Sequence, residues 1–321
     1  MVVVAEPDSV EFRGEKFFYT HLAYKCQDTG EQFTTTELDE VNANQVYNAY
    51  RYRHGMPFPD EIIDLRKHYG VSAAMMSDIM GFGANQWRYY EADKVPNESN
   101  SRTILAIRNK SVFLDFLESA RNTIGDKAYG KTKAHVESLP PYTRQGRPSE
   151  RNGFISYSPQ KTTEAIKYFI YRLNGVFTTK MNKLLFYADF TKYRHSGFGL
   201  TGLEYRAITH GPVPNGYGEV YSKADGIEME EYIYPNGTSG ILLVSQETPD
   251  MEVFSELERE ILSAVCDKYS RYSAGDISQE SHQEKGWKEC IDGRLLIPYT
   301  FAFDMVDLLN PSSQSGISGN V

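Results

Sequence analysis

The sequence predicts an α+β protein, mainly α, and three observations carry that prediction. Apolar residues recur at helical spacing through most of the middle and second half of the chain. Short alternating runs between turn signals occur near the start and in parts of the second half. At 321 residues and 40% hydrophobic content, the chain is long enough for two cored domains. The expected order is a small N-terminal β meander, a helical domain with a helix-turn-helix, then a helix-rich domain with a β-hairpin.

The meander is read from residues 10–36. Val10 and Phe12 precede an Arg13-Gly14 turn, Phe17 and Tyr19 alternate after it, and Asp28-Thr29-Gly30 makes a second turn. From Glu37 to His54 the pattern turns helical, and Gly55-Met56-Pro57 ends it. Residues 58–70 read as a helix. Pro59 suits its first turn, Asp60 and Glu61 suit its positive end, and Ile62, Leu65 and Tyr69 form the stripe that Gly70 terminates. Ser72 is placed to cap a second helix. Gly81-Phe82-Gly83 is a tight turn, a third helix is expected over 84–92, and a fourth over 101–119.

Residues 121–157 are rich in Gly, Pro, Ser and charge, and read as a linker. The expected domains are therefore 1–49, 50–120 and 158–321. In the last, Ile166, Phe169, Ile170 and Leu173 mark one helix, and Met181, Leu184, Leu185 and Ala188 a second. Residues 227–245 read as a hairpin turning at Asn236-Gly237, and Phe254–Tyr272 as another helix.

Net charge is −9, but it is uneven: −6 over residues 1–49, +4 over 50–151 and −7 over 152–321. A basic segment between acidic ones suits a nucleic-acid contact confined to that segment. Two short helices joined by a glycine turn and flanked by helices fit a helix-turn-helix. On the third helix Trp87 and Tyr90 lie three apart and can enter the core, while Asn85, Arg88 and Tyr89 share another face. Amides can bond adenine edges and arginine can bond guanine. The expected DNA-contacting residues are Asn85, Gln86, Arg88, Tyr89 and Lys94. The competing explanation is a small helical bundle with a solvated polar face.

Residues 10–120 resemble the MqsA-type antitoxin family with its Xre-like helix-turn-helix. The resemblance rests on Arg51…His54-Gly55, Glu61-Ile62…Leu65-Arg66…Tyr69-Gly70-Val71-Ser72 and Tyr90-Glu91-Ala92-Asp93-Lys94-Val95-Pro96. The last resembles the family's Tyr-Glu-x-Gly-x-x-Pro, with Asp93 in place of the glycine. The family reads DNA with an Asn and an Arg four residues apart. Asn85 matches the first, Tyr89 stands where the Arg would be, and Arg88 is beside it. The family's N-terminal zinc site uses two cysteine pairs. Here the only cysteines are Cys26, Cys266 and Cys290, far apart, so no metal is expected and Cys26 is read as a small buried hydrophobe.

Residues 161–310 resemble the Panacea, or SocA-like, antitoxin domain. This rests on Lys183-Leu184-Leu185-Phe186-Tyr187-Ala188-Asp189, Glu204-Tyr205-Arg206-Ala207, His210-Gly211-Pro212-Val213 and Ile297-Pro298-Tyr299. The two resemblances imply an antitoxin with cognate toxin and operator DNA as partners, acting as a homodimer. They also leave room for a protease or chaperone partner, because some SocA-like proteins deliver a toxin to a protease. The expected toxin-contacting residues are His210, Gly211, Pro212, Val213, Tyr217 and Tyr221. Tyrosines at 217, 221, 232 and 234 suit a partner surface, with partial burial in the second domain as the competing explanation.

Asp189, His195, Glu204 and His210 could suggest hydrolytic or metal chemistry. No HExxH spacing, Gly-x-Ser-x-Gly elbow or GK[ST]-ended phosphate loop accompanies them. These four are read as structural hydrogen-bonders around a Gly-Pro turn, and a non-enzymatic protein without cofactor is expected. No apolar run approaches the ~20 residues that span a bilayer, and the first residues lack the basic flank of a secretory leader. A cytoplasmic location without membrane contact is the expectation.

Overall fold

The computed structural model describes residues 1–144 and 146–309. Helix predominates over strand, and the chain forms two compact units. One comprises Met1–Gln45 together with the chain from Pro148 onward; the other is Val46–Arg147. The division falls inside the first helix.

The N-terminal hairpin pairs β1 (Val2–Phe12) with β2 (Glu15–Lys25), and β3 (Gln32–Phe33) adds to β2. Positive φ at Arg13 and Gly14 makes the expected turn. Strand β1 starts eight residues before the alternation at Val10, because every residue from Val2 pairs with β2. Helix α1 (Thr36–His54) follows. Asn42 ties it to the sheet by accepting from Leu22 N and donating to Leu22 O, at 2.8 and 2.9 Å.

This hairpin is not a domain by itself, contrary to the expectation for 1–49. Asn44 Nδ2 donates to Ser196 O at 3.1 Å. Val3, Leu22 and Val41 also line a cavity of about 220 Å³ together with Arg194, His195 and Asp307. The apolar face of a three-stranded sheet needs a partner layer, and the later part of the chain supplies it.

The unit Val46–Arg147 is helical. Its elements are α2 (Pro59–His68), α3 (Ala73–Ile79), α4 (Gln86–Ala92), α5 (Glu98–Ala106), α6 (Lys110–Ser119), α7 (Arg121–Ile124) and α8 (Asp126–Ser138). The Ile62, Leu65 and Tyr69 stripe is buried as expected, with Met76, Ile79, Trp87, Tyr90, Ile104, Phe113 and Leu117 around it. The helix expected over 101–119 is two helices. Asn109 breaks it by capping α6, its side chain accepting from Ser111 N at 2.9 Å. The expected linker is corrected as well: α7 and α8 fill 121–124 and 126–138, and Tyr129 and Val136 are buried in the same core.

The remaining elements are α9 (Pro159–Leu173), β4 (Val176–Phe177), α10 (Thr178–Ser196), β5 (Tyr205–Ile208), β6 (Gly211–Pro214), α11 (Tyr217–Lys223), β7 (Glu228–Ile233), β8 (Ser239–Val244), α12 (Glu256–Tyr269), α13 (Ala274–Ser281) and α14 (Lys285–Cys290). Helix α10 is the axis of this unit, buried along most of its length. Strands β5 and β6 form a hairpin, and β4, β8 and β7 form an antiparallel sheet in that order. Ser255 opens α12 with a capping box to Glu258. No helix among the described residues is long and apolar enough to cross a membrane.

Candidate functional site

In the helical unit, the α3–turn–α4 arrangement is held from both ends. Ser72 caps α3 by accepting from Met75 N at 3.2 Å. Ser77 Oγ on α3 accepts from Trp87 N at 3.0 Å, which satisfies one of the free amides at the start of α4. Trp87 and Tyr90 are fully buried; Trp87 Nε1 donates to Glu91 Oε1 at 2.9 Å and Tyr90 OH accepts from Asn100 at 2.8 Å. Glu91 in turn accepts from Arg66 Nε and Nη2. After α4 the chain bends at Asp93, with φ 142°, and the buried Arg51 donates to the Asp93 carbonyl.

Asn85, Arg88, Tyr89 and Lys94 are exposed, and they form the outer face of this element. Asn85 is left-handed (φ 61°) and immediately precedes the helix, so α4 begins two residues later than expected. Lys94 Nζ lies 5.5 Å over the Tyr89 ring. Gln86 differs from the other four. It is half-buried, and its amide nitrogen is enclosed without a hydrogen-bond partner among the described residues.

In the other unit, the motif residues converge on α10 rather than on the surface. The Asp189 carboxylate is buried and accepts four hydrogen bonds: from Leu200 N and Thr201 N at 2.8 Å, Thr201 Oγ1 at 2.5 Å and Tyr205 OH at 2.7 Å. Burial pushes its carboxyl up, opposed by those bonds. Tyr299 stacks on Phe190 at 4.4 Å and donates to Leu203 O at 2.7 Å, while Ile297 N donates to Tyr205 O at 2.7 Å. His195 pairs with Asp307 at 2.8 Å. Asp189 and His195, two of the residues that could have suggested hydrolysis, thus have separate structural partners.

The toxin-contacting expectation is corrected in part. Gly211, Pro212, Val213 and Tyr221 are buried. Gly211 (φ 93°) lies where an added Cβ would come within 2.8 Å of Lys183 Cε. Tyr221 OH donates to Asn182 Oδ1 at 2.6 Å. Only His210 and Tyr217 of that set are exposed. Tyr217 borders an open cavity of about 390 Å³ that Arg206, Ile208 and Asn215 also line.

Residues 181–288 match the family described as Antitoxin SocA-like, Panacea domain. Neither a curated protein nor a solved structure matches the chain. The Panacea match runs from α10 through α14, so it covers the axis of this unit, the β5–β6 hairpin and the whole β7–β8 hairpin.

Sequence reasoning missed two features. Lys183 is fully buried with no hydrogen-bond partner for its ammonium among the described residues, and burial lowers its pKa to about 8. The β7 strand is exposed at every residue, which its mixed Glu and apolar composition did not mark as a surface. Cys26 is half-exposed rather than buried. The Thr29 hydroxyl, followed by the Thr29 and Asp28 amides, hydrogen-bonds its thiol and lowers its pKa to about 7. The tight Cys26–Glu31 turn brings those groups to the sulfur and keeps it at the surface.

Proposed function

We propose that this protein is an antitoxin that neutralises a cognate toxin by direct binding through its Panacea-matching region. The carrying observation is that match over residues 181–288. The saturated hydrogen bonding of Asp189 supports a binding role, because that carboxylate has no free edge for a substrate.

The helical unit is the operator-reading part in this proposal, and it represses the chain's own operon as a dimer. Support comes from the short helices α3 and α4 joined by a glycine turn, and from the exposed Asn85, Arg88, Tyr89 and Lys94. Phosphate contacts would come from the basic surface of residues 50–151, and base contacts from α4.

The test is co-expression of the full chain with the product of the adjacent reading frame. The expected result is rescue of growth and a stoichiometric complex on co-purification. Toxicity unrelieved by the full chain, with no complex, would refute the antitoxin reading. The full chain is required because residues 1–45 pack with the chain from Pro148 onward, so cutting at 158 would strip that unit of its N-terminal layer. Mobility-shift titration with the DNA upstream of its own reading frame tests the repressor part.

A further inference from the structure

The β7–β8 hairpin is the place in the matched region where apolar and acidic side chains meet an unpaired strand edge. Among the described residues strand β7 has a neighbour on one side only, β8, and all six of its residues are exposed. Paired residues of antiparallel strands share a face. Met229 pairs with the buried Leu243, Glu231 with Ile241 and Ile233 with Ser239. One face therefore continues the core outward into solvent, with Met229 50%, Ile233 69% and Ile241 38% exposed. The opposite face carries Glu228, Glu230 and Tyr232, and Tyr232 packs edge-on against Phe177 at 5.7 Å.

The charge is one-sided. Residues 228–244 contain Glu228, Glu230 and Glu231 and no Lys or Arg. Among the described residues none of the three glutamates forms an ion pair. An exposed edge is a template for another strand, and chains commonly blunt it with lysine, proline or a bulge. Strand β7 has no lysine or proline, and its ladder to β8 is uninterrupted. Three neighbouring carboxylates repel one another, and cationic side chains would relieve that repulsion while apolar ones cover Met229 and Ile233.

We propose that β7 is the docking edge for a basic, extended segment of the toxin, which adds beside it as a fourth strand. This rests on the antitoxin reading and names its surface. Main-chain hydrogen bonds supply the pairing, and the alternating side chains supply the selection. The segment places Lys or Arg beside Glu231 among apolar residues on one face. On the other it places Lys or Arg beside Glu228 and Glu230, and an aliphatic or aromatic residue beside Tyr232.

The experiment uses the full chain and the product of the adjacent reading frame. Two measurements are made on the complex: hydrogen exchange of the Glu228–Ile233 amides, and affinity of the double variant Glu230→Lys, Glu231→Lys. Both side chains are exposed, so an unchanged thermal melt is expected and confirms that the variant is folded. The proposal expects exchange of these amides to slow at least about tenfold on binding, and the double variant to lose about tenfold or more in affinity together with rescue. Glu230→Gln with Glu231→Gln should lie between, and wild-type affinity should fall as salt rises. A complex in which these amides stay unprotected and the double variant binds like the wild type would overturn the proposal while leaving the antitoxin reading intact. Absence of any complex with the wild type would overturn both.

Discussion

Lys183 offers a test of how this fold tolerates a buried charge. Its side chain is fully buried on α10, its ammonium has no hydrogen-bond partner among the described residues, and desolvation lowers its pKa from 10.5 to about 8. At pH 7 the amine is still protonated in the folded protein, so the fold carries the cost of that shift. A lowering of this size corresponds to about 3 kcal/mol, at ~1.4 kcal/mol per unit. Lys183→Met keeps a long unbranched side chain and removes the charge, so it should stabilise this unit at pH 7 by up to about 3 kcal/mol. The pH dependence has a fixed sign. Between about 8 and 10.5 the unfolded chain holds the proton and the folded chain has released it, so wild-type stability from this group rises with pH across that window. The difference between wild type and variant should therefore be largest below pH 8 and shrink toward zero by pH 10.5. Urea unfolding followed by tryptophan fluorescence measures it. The only tryptophans are Trp87 and Trp287, one in each unit, and Trp87→Phe identifies the phase that belongs to Trp287. A variant less stable than wild type at pH 7, or a difference that does not change between pH 7 and 10.5, would show that the ammonium is compensated and would refute the reasoning.

Four further outcomes are expected. Asn85→Ala and Arg88→Ala should each weaken operator binding by about 1–3 kcal/mol in mobility-shift titrations, with unchanged melting for the exposed Arg88 and a slightly lowered melt for Asn85, whose left-handed φ of 61° suits Asn better than Ala. Gly211→Ala should lower stability by about 2–4 kcal/mol in thermal unfolding, since φ is +93° and the new methyl would crowd Lys183. Asp93→Gly should leave the helical unit about 1 kcal/mol more stable than Asp93→Ala in thermal unfolding, because a φ of 142° suits glycine and both variants lack the carboxylate. Iodoacetamide at neutral pH should label Cys26 before Cys266 and Cys290, whose thiols burial pushes up. Thr29→Val should slow that labelling roughly tenfold by removing the main hydrogen bond to the thiol.

The helical unit was legible where apolar residues repeat strongly. Ile62, Leu65 and Tyr69 lie on one stripe, Trp87 and Tyr90 lie three apart, and all five are buried. The β7–β8 turn was legible because Asn236-Gly237 carries its own backbone preference, and Gly237 has φ 81°. The α8 segment was not, because its core contribution is thin. Tyr129 and Val136 are seven apart among lysines, glycine and serine, and composition outweighed that faint period. The Asp93 replacement was visible as a departure from a motif, but its backbone strain needed coordinates.

The Panacea-like motif residues are found in the sequence. Asp189, weighed for hydrolysis, reads there as a structural hydrogen-bonder, whereas Gly211, Pro212 and Val213 are expected at a partner surface and are buried, for a physical reason. Asp189 draws its donors from Leu200, Thr201 and Tyr205, and Tyr299 closes the same cluster from the far end of the chain. A carboxylate saturated in this way looks, as a bare letter, like a catalytic or contact residue. Its structure shows instead that the motif specifies how α10 and the β5–β6 hairpin pack. Two kinds of substitution should then behave differently. Changes at Asp189, Tyr205, Val213 or Tyr299 disturb buried partners and should lower the amount of folded protein whichever toxin is offered. Changes on exposed β7 leave the core untouched and should alter which toxin is bound. The match over residues 181–288 thus speaks for the scaffold, and the proposed docking edge assigns selection among partners to side chains that the scaffold holds out in solvent.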